Sequence, residues 1–230
     1  MIQSVPFLTK LRVLALGIAC AASALPVAAA ASITPGRVEF AVTRNGQPFG
    51  THSVVVSKAG DGYTARSDIR LVAKVGPVTA FNYTHRCVET WRSALSLASL
   101  DCTDRENGRV QTARANLSGN TLHINGSGFS GPFIGEAIPS SWWRRDTMEQ
   151  SKILDTRNGK PMPINIQRVG IETVKAGAAT VQATRFRVKG TLVADVWYDA
   201  AGRWVKLAFK ARGQDIVYTL ASPLAAIPRS

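Results

Sequence analysis

Hydrophobic and polar residues alternate along most of the chain from residue 36 onwards. A period of two is typical of a β-strand that buries one face and exposes the other. The clearest alternating faces are Val38, Phe40 and Val42; His52, Val54 and Val56; and Ile69, Leu71, Ala73 and Val75. This pattern predicts half-buried strands rather than amphipathic helices.

Turn-forming residues separate the alternating segments. Several turns pair asparagine with glycine, residues that accept the positive φ angles of a tight hairpin turn. The turn signals are Asn45-Gly46, residues 59–62, Asn107-Gly108, residues 118–120, Asn158-Gly159, residues 200–202 and Arg212-Gly213. We count ten to twelve strands, mostly hairpin-connected. They predict a mainly all-β fold, a long antiparallel meander that forms a curved sheet or a partly open barrel.

The segment between the early and late strands departs from this pattern. Residues 126–139 are rich in glycine and proline and predict one long loop. Asp146 stands three residues before Glu149, which is the spacing of a capping box. We therefore predict a short helix near residues 140–152.

The last predicted hairpin can be given a register. If residues 199–202 form a four-residue loop, Trp197 faces Trp204 and Val196 faces Val205. One face of the hairpin would then be continuously apolar, and the other would carry the two indole rings beside charged side chains. Such a pair either covers the end of the sheet or lines a binding surface.

The N-terminal residues predict an export signal. Lys10 and Arg12 precede an apolar run over residues 13–24, and small alanines follow at residues 28–31. This is the layout of a secretory signal peptide. The run is shorter than the ~20 residues that a membrane-spanning helix needs.

The alanines place the expected cleavage after Ala30 or Ala31. We therefore assign residues 1–31 to a cleaved signal peptide and residues 32–230 to one β-rich domain, a length that suits a single core. No later segment is apolar for long enough to span a bilayer as a helix. We expect the mature protein to be periplasmic or secreted.

Two cysteines follow the signal peptide, Cys87 and Cys102. In an oxidising compartment they are expected to form a disulfide. A hairpin that places them opposite each other would turn near Ala94 and Leu95, and closing that loop would contribute roughly 3 kcal/mol. His85 shares a strand face with Cys87, but zinc there would lack a fourth ligand, so we predict no metal.

The chain is strongly basic, with 28 Lys and Arg against 15 Asp and Glu. The signal peptide carries two of the basic residues and none of the acidic ones, which leaves a net charge of +11 on the mature domain. Such a charge favours anionic partners. In an exported protein we expect a lipid or an anionic envelope component rather than nucleic acid. A solvated basic face without a ligand is the alternative.

No sequence motif predicts a cofactor. Gly126, Gly128 and Gly131 match the Gly-x-Gly-x-x-Gly pattern of nucleotide-binding loops. Pro132 follows them where the phosphate-binding helix would have to begin, so we do not predict nucleotide binding. The three histidines occupy no recognisable metal-binding or catalytic spacing.

Three segments are distinctive: Ser-Trp-Trp at residues 141–143, residues 154–159, and residues 195–207 with its Trp-Tyr-Asp-x-x-Gly-x-Trp-Val sequence. In these segments the chain resembles an uncharacterised bacterial family called domain of unknown function 6134. The resemblance extends from Val38 to Tyr218. It implies an exported β-rich protein of Gram-negative bacteria, and it brings no assigned catalytic residue.

We expect a non-catalytic protein whose curved sheet offers a concave apolar face to a lipid or another amphiphilic ligand. The tryptophans of the irregular segment are placed to cover such a ligand, and the neighbouring arginines to meet an anionic head group. The alternative is that the tryptophans plug the open end of the core. The candidate ligand-binding residues are Trp142, Trp143, Arg144, Arg145, Trp197 and Trp204.

Two alternatives stay open. The first is a cell-envelope hydrolase that uses dispersed residues such as His85, His123 or Asp155. The second is a protein-interaction module that binds its partner through an exposed strand edge. An apolar cavity would favour the carrier, a cleft with convergent titratable groups the enzyme, and a flat uncovered edge the module.

Overall fold

The structure is a computed structural model that describes residues 35–93 and 96–221. These residues form strands and one short 3₁₀ helix. The strands are β1 Gly36–Arg44, β2 Gln47–Ala59, β3 Gly62–Val75, β4 Val78–Trp91, β5 Leu97–Glu106, β6 Arg109–Ser118, β7 Thr121–Gly126, β8 Ser130–Phe133, β9 Lys152–Leu154, β10 Pro161–Ala176, β11 Ala179–Gly190, β12 Ala194–Asp199, β13 Trp204–Ala211 and β14 Gln214–Leu220. The predicted signal peptide and the predicted turn at Ala94 and Leu95 lie outside the described residues.

All fourteen described strands belong to one sheet, and neighbouring strands pair antiparallel. The order runs β8-β7-β6-β5-β4-β3-β2-β1-β14-β13-β12-β11-β10-β9, so the first and last strands are neighbours at its centre. No strand pairing within the described residues joins β8 to β9, and the sheet is open. The predicted all-β meander is confirmed. The predicted strand count was too low, because β8 and β9 lie in or next to the segment that was predicted to be irregular.

The hairpins turn where the glycine signals predict. Asn45-Gly46, Asn107-Gly108 and Arg212-Gly213 each place both residues at positive φ, between 48° and 87°. Two such residues in succession define the type I′ turn, whose twist matches that of the flanking strands. Because these turns follow β1, β5 and β13 in an alternating meander, they lie at the same end of the sheet.

Glycines let the outer parts of the sheet approach each other. The backbone N–H of Gly128 donates to the carbonyl oxygen of Asn158 at 2.8 Å. A Cβ on Gly126 would lie 2.3 Å from that same oxygen, so a larger residue does not fit. The Gly-x-Gly sequence therefore serves backbone packing between the β7–β8 turn and the β9–β10 turn.

The segment between β8 and β9 is irregular, but its helix differs from the predicted one. Arg145–Glu149 form a 3₁₀ helix, and its N-cap is Arg144 without a side-chain cap. The Asp146 carboxylate pairs with the Arg144 guanidinium instead. The predicted capping box is therefore wrong, because the ion pair occupies the carboxylate that would have capped the helix. Across the described ranges, no helix has the length and apolar character needed to cross a membrane.

The register predicted for the last hairpin is also wrong. Tyr198 pairs with Trp204 and Trp197 pairs with Lys206, which leaves Val205 as the extra residue of a β-bulge. One extra residue moves the following side chains to the opposite face. Trp197 and Trp204 therefore lie on opposite faces of the hairpin rather than side by side.

Two clusters of buried side chains cover the inner face of the sheet. The larger joins β1–β3 to β10–β14 and includes Phe40, Tyr198 and Trp204. The smaller lies along β4–β8. It contains the disulfide between Cys87 and Cys102, which are directly paired residues of β4 and β5. The predicted disulfide is confirmed.

Candidate ligand-binding cavity

A cavity of about 470 Å³ lies within the larger cluster. That volume falls in the range of small-molecule sites in proteins. Its apolar lining consists of Phe49, Ile69, Leu71, Phe81, Trp142, Met162, Leu192, Ala194, Leu207, Phe209, Ala211 and Ile216. Its polar lining consists of Arg44, His52, Ser67, Tyr83, His85, Glu106, Ser140, Ser141, Asp155, Thr156, Arg157, Thr191, Arg212, Gln214 and Tyr218.

The cavity lies toward the end of the sheet that carries the β1–β2 and β13–β14 turns. Three phenylalanines near those turns, Phe49, Phe81 and Phe209, line it there. Toward the other end large rings fill the interior, and Trp204 packs on Phe40 with ring centroids 4.0 Å apart. The interior is therefore filled at one end and leaves space at the other.

One row of residues paired across neighbouring strands supplies two polar residues of the cavity wall, His52 and His85. His52, Ile69, His85 and Asp104 lie opposite one another in turn across β2, β3, β4 and β5. The three polar members are between 1% and 4% exposed. Nδ1 of His85 lies 3.5 Å from Oδ2 of Asp104, a separation at which the two atoms form no hydrogen bond.

Ser67 lies on β3 two residues from Ile69, on the same face of the sheet, and lines the same cavity. Its Oγ, both ring nitrogens of His52, Nδ1 of His85 and Oδ2 of Asp104 have no hydrogen-bond partner among the described residues. A buried polar group without a partner costs roughly 1–3 kcal/mol. We term His52, Ser67, His85 and Asp104 the polar patch.

Burial controls the protonation of His52. Burial first, and then the nearby His85, lower the pKa of His52 to about 3. Burial, followed by the charge of Asp104 and a hydrogen bond to it, raises the pKa of Tyr83 far above its ordinary value. His52 and Tyr83 are therefore uncharged at neutral pH and offer hydrogen-bonding atoms rather than charge.

Three arginines line the cavity, namely Arg44, Arg157 and Arg212. Arg157 pairs with Asp155 at 3.0 Å, and Arg212 pairs with Glu106. Arg44 packs over an aromatic ring and forms no ion pair with a described residue. One positive charge at the rim of the cavity is therefore not neutralised by a described acidic partner.

Six ligand-binding residues were predicted, and all six belong to the described part of the chain. Trp142 lines the cavity and the other five do not. Trp142 has a φ of 62°, a left-handed conformation that costs roughly 1–3 kcal/mol. The Tyr198 hydroxyl stabilises it by donating to the Trp142 carbonyl oxygen at 2.7 Å.

Trp143 and Arg144 belong to a separate group of buried side chains. Oε2 of Glu89 accepts hydrogen bonds from Nε1 of Trp91 at 3.0 Å and from Nε1 of Trp143 at 3.1 Å. The Arg144 guanidinium lies 4.0 Å from the centre of a Trp91 ring and pairs with Asp146. Burial raises the pKa of Glu89, and the hydrogen bonds it accepts oppose that rise. We term these five residues the Glu89 cluster.

The other three predicted residues also make their contacts within the protein. Arg145 lies over the Phe186 ring, 5.6 Å from its centroid. Nε1 of Trp197 donates to Glu172 at 2.9 Å, and Nε1 of Trp204 donates to a backbone carbonyl at 3.0 Å. A ligand-binding role for these residues stays a prediction.

The candidate enzyme and metal residues come together only in part. His85 and Asp155 both line the cavity, whereas His123 is exposed on β7. Ligand atoms of His85, Cys87 and Cys102 lie within 4.8 Å of one another. The two sulfurs are bonded to each other, however, and zinc requires thiolates, so this group does not form a zinc site as it stands.

Comparisons with known proteins identify a family and a fold. Residues 40–221 match the family model described as Domain of unknown function (DUF6134). No curated protein matches the chain. The chain is similar to the crystal structure of a β-barrel-like protein of domain of unknown function DUF1849 from Brucella abortus, with a TM-score of 0.57 and 7% sequence identity. That similarity covers 81% of this chain and 95% of the other, and at such identity it shows a shared fold.

Proposed function

The chain belongs to the family Domain of unknown function (DUF6134), and from that premise we propose that it is an exported, non-catalytic protein that binds a lipid or another amphiphilic ligand. The cavity of about 470 Å³ carries this proposal. Its aliphatic and aromatic walls suit a hydrocarbon chain, whose burial contributes about 25 cal/mol per Å². The basic surface and Arg44 at the rim favour a ligand drawn from an anionic surface.

The disulfide supports the export part of this proposal. Cys87 and Cys102 are joined in the structure, and disulfides persist in oxidising compartments. The N-terminal residues also have the layout of a signal peptide. Together these features favour a periplasmic or secreted protein.

A binding role accounts for the cavity better than the alternatives do. The predicted hydrolase residues are divided between the cavity and the outer surface. The outer strands β8 and β9 contain four and three residues, which gives a partner strand little edge to pair with. β9 is further covered by Pro139, which forms a parallel bridge with Leu154.

Filling the cavity tests the proposal. Leu192 lines the cavity in the β11–β12 turn, and its neighbour Val193 is 62% exposed. We expect Leu192→Trp to weaken binding of dansylundecanoic acid roughly tenfold or more, because the larger ring occupies the ligand volume. Val193→Trp is the matched control and should leave the affinity unchanged. Fluorescence titration of the purified mature protein measures both.

Two results would contradict the proposal. One is that the wild-type protein fails to bind the probe. The other is that both variants bind it as tightly as the wild type does, which would place the probe outside the cavity. Native mass spectrometry of protein purified from cells gives an independent check, because a carried ligand should appear as a reproducible added mass.

A further inference from the structure

The polar patch has hydrogen-bonding atoms that the protein itself does not pair. We propose that it is the recognition site for an uncharged hydroxyl group of the ligand. The inference rests on the proposed function and narrows the ligand to a hydroxyl-bearing amphiphile, such as a long-chain alcohol or an acylglycerol. His52, Ser67 and His85 line the cavity, whereas Asp104 does not line it and joins the patch as the cross-strand partner of His85.

The first step of the argument is the concentration of unpartnered atoms. Eight buried side-chain atoms lack a hydrogen-bond partner among the described residues, and five of them belong to the polar patch. All four side chains are more than nine-tenths buried. Each unpartnered group costs roughly 1–3 kcal/mol, so a ligand group that pairs with them recovers free energy on binding.

The second step is the mixture of donors and acceptors. Neutral His52 presents one N–H donor and one nitrogen acceptor, and Oγ of Ser67 can donate or accept. A hydroxyl both donates and accepts, whereas a carboxylate accepts only and an ammonium donates only. The hydroxyl is therefore the group that matches the patch.

The third step is the charge of the surroundings. Asp104 is an acidic residue only 1% exposed that lies opposite His85 on the next strand, so an anion bound at His85 would lie near a second carboxyl group. The cavity lining next to the patch is largely apolar, and an ion buried there without a partner costs several kcal/mol. An uncharged group avoids both costs.

The experiment compares alkyl ligands that differ at one end. Dodecanol, dodecanoate, dodecylamine and chlorododecane each compete for the site with bound dansylundecanoic acid. Chlorododecane has a similar size to the alcohol but no hydroxyl. We expect dodecanol to bind at least about tenfold more tightly than chlorododecane, because a site built to pair a hydroxyl rejects an analogue that lacks it.

Two conservative variants each remove the polar atoms of one patch residue with little change in its shape. Ser67→Ala deletes only the hydroxyl, and His52→Phe keeps an aromatic ring beside Trp204 and Tyr218. In each variant the preference for dodecanol should fall to within about twofold. The melting temperature of the ligand-free variants should stay the same or rise, because an unpartnered polar group is lost.

The outcomes separate the two proposals. If none of the four compounds competes, both the proposed function and this inference fail. If the alcohol and chlorododecane bind equally to the wild type, or if dodecanoate or dodecylamine binds most tightly, the cavity remains a ligand site and the inference fails. The inference fails also if both variants melt well below the wild type and keep the preference for dodecanol. Ordered water would then complete the hydrogen bonds of the patch as part of the fold.

Discussion

Two buried polar regions on the inner face of this sheet differ in how their hydrogen bonds are completed. In the Glu89 cluster, one carboxylate oxygen accepts from two indole N–H groups, and Arg144 is paired with Asp146. Oε1 of Glu89 and Nη1 of Arg144 have no hydrogen-bond partner among the described residues, but both side chains make other polar contacts. In the polar patch, His52 and Ser67 have no partner among the described residues. The central side chains of both regions are almost fully buried, so burial does not distinguish them.

The difference teaches which buried polar groups belong to the fold and which belong to a site. A polar network with its hydrogen bonds made helps to specify a single packing arrangement. A polar group left unpaired lowers stability, and natural proteins accept that cost most often where function requires it. The Glu89 cluster therefore holds the irregular segment on the sheet, whereas His52, Ser67 and His85 of the polar patch line the cavity, where we propose that they recognise a ligand.

The largest expected effect comes from breaking the Glu89 cluster. Glu89→Ala leaves two indole N–H groups unpaired and opens a void, so we expect the free energy of unfolding to fall by about 4 kcal/mol. Glu89→Gln keeps an oxygen acceptor in place and should cost about 1 kcal/mol. Urea unfolding of both variants measures the difference. Equal costs would show that the two indole hydrogen bonds do not stabilise the fold.

An intermediate effect on stability is expected when the pH is lowered, because His52 titrates differently in the folded and unfolded states. Its pKa is about 3 in the folded protein and 6.5 in the unfolded chain. The folded state thus binds fewer protons between these values, and stability is lost as pH falls below 6.5. Between pH 7 and pH 5 the wild type should lose about 2 kcal/mol more than His52→Phe does. Urea unfolding at both pH values gives the comparison, and parallel losses would mean that His52 does not titrate in this way.

The smallest expected effects come from deleting a single hydroxyl, either the paired one of Tyr198 or the unpaired one of Ser67. The Tyr198 hydroxyl donates to the Trp142 carbonyl at 2.7 Å, whereas Oγ of Ser67 is unpartnered. Tyr198→Phe should cost about 1 kcal/mol, whereas Ser67→Ala should raise stability by about 1 kcal/mol because it removes an unpaired hydroxyl. Thermal unfolding of the ligand-free proteins measures both. A larger loss for Ser67→Ala than for Tyr198→Phe would reverse the comparison.

Much of the fold could be predicted from local sequence. Alternation places Phe40 and Val42 on the buried face, and the Asn-Gly pairs mark tight turns. Both signals depend on neighbouring residues only, and a meander contains mostly neighbouring contacts. The disulfide was predictable for the same reason, because Cys87 and Cys102 lie on consecutive strands.

The register of the last hairpin could not be predicted in this way. The bulge at Val205 places Trp204 on the face opposite to the predicted one, and both registers keep Val196 and Leu207 on one apolar face. Local pattern therefore does not choose between them. Packing of Trp204 against Phe40, a residue of a strand that is distant in sequence, favours the observed register.

The polar patch depends on pairings across four strands, and no local motif shows them. One signal was present: His52 shares its strand face with Val54 and Val56, which are both buried. A histidine on an apolar face indicates either a paired core residue or a site. The residues around His52 would have shown whether it is a paired core residue or part of a site. Those residues are set by the strand registers that place His85 and Asp104 in the same row.

The pairing of β1 with β14 places the most distant segments of the domain in one ladder, with Phe40 opposite Leu220. During synthesis β1 leaves the ribosome long before its partner exists, and its free edge stays open to other chains until the final strand is made. This pairing joins strands with the highest sequence separation in the domain, and contacts of that kind slow folding. A premature stop before β14 would therefore open the middle of the sheet, whereas in a simple meander it would only shorten one side.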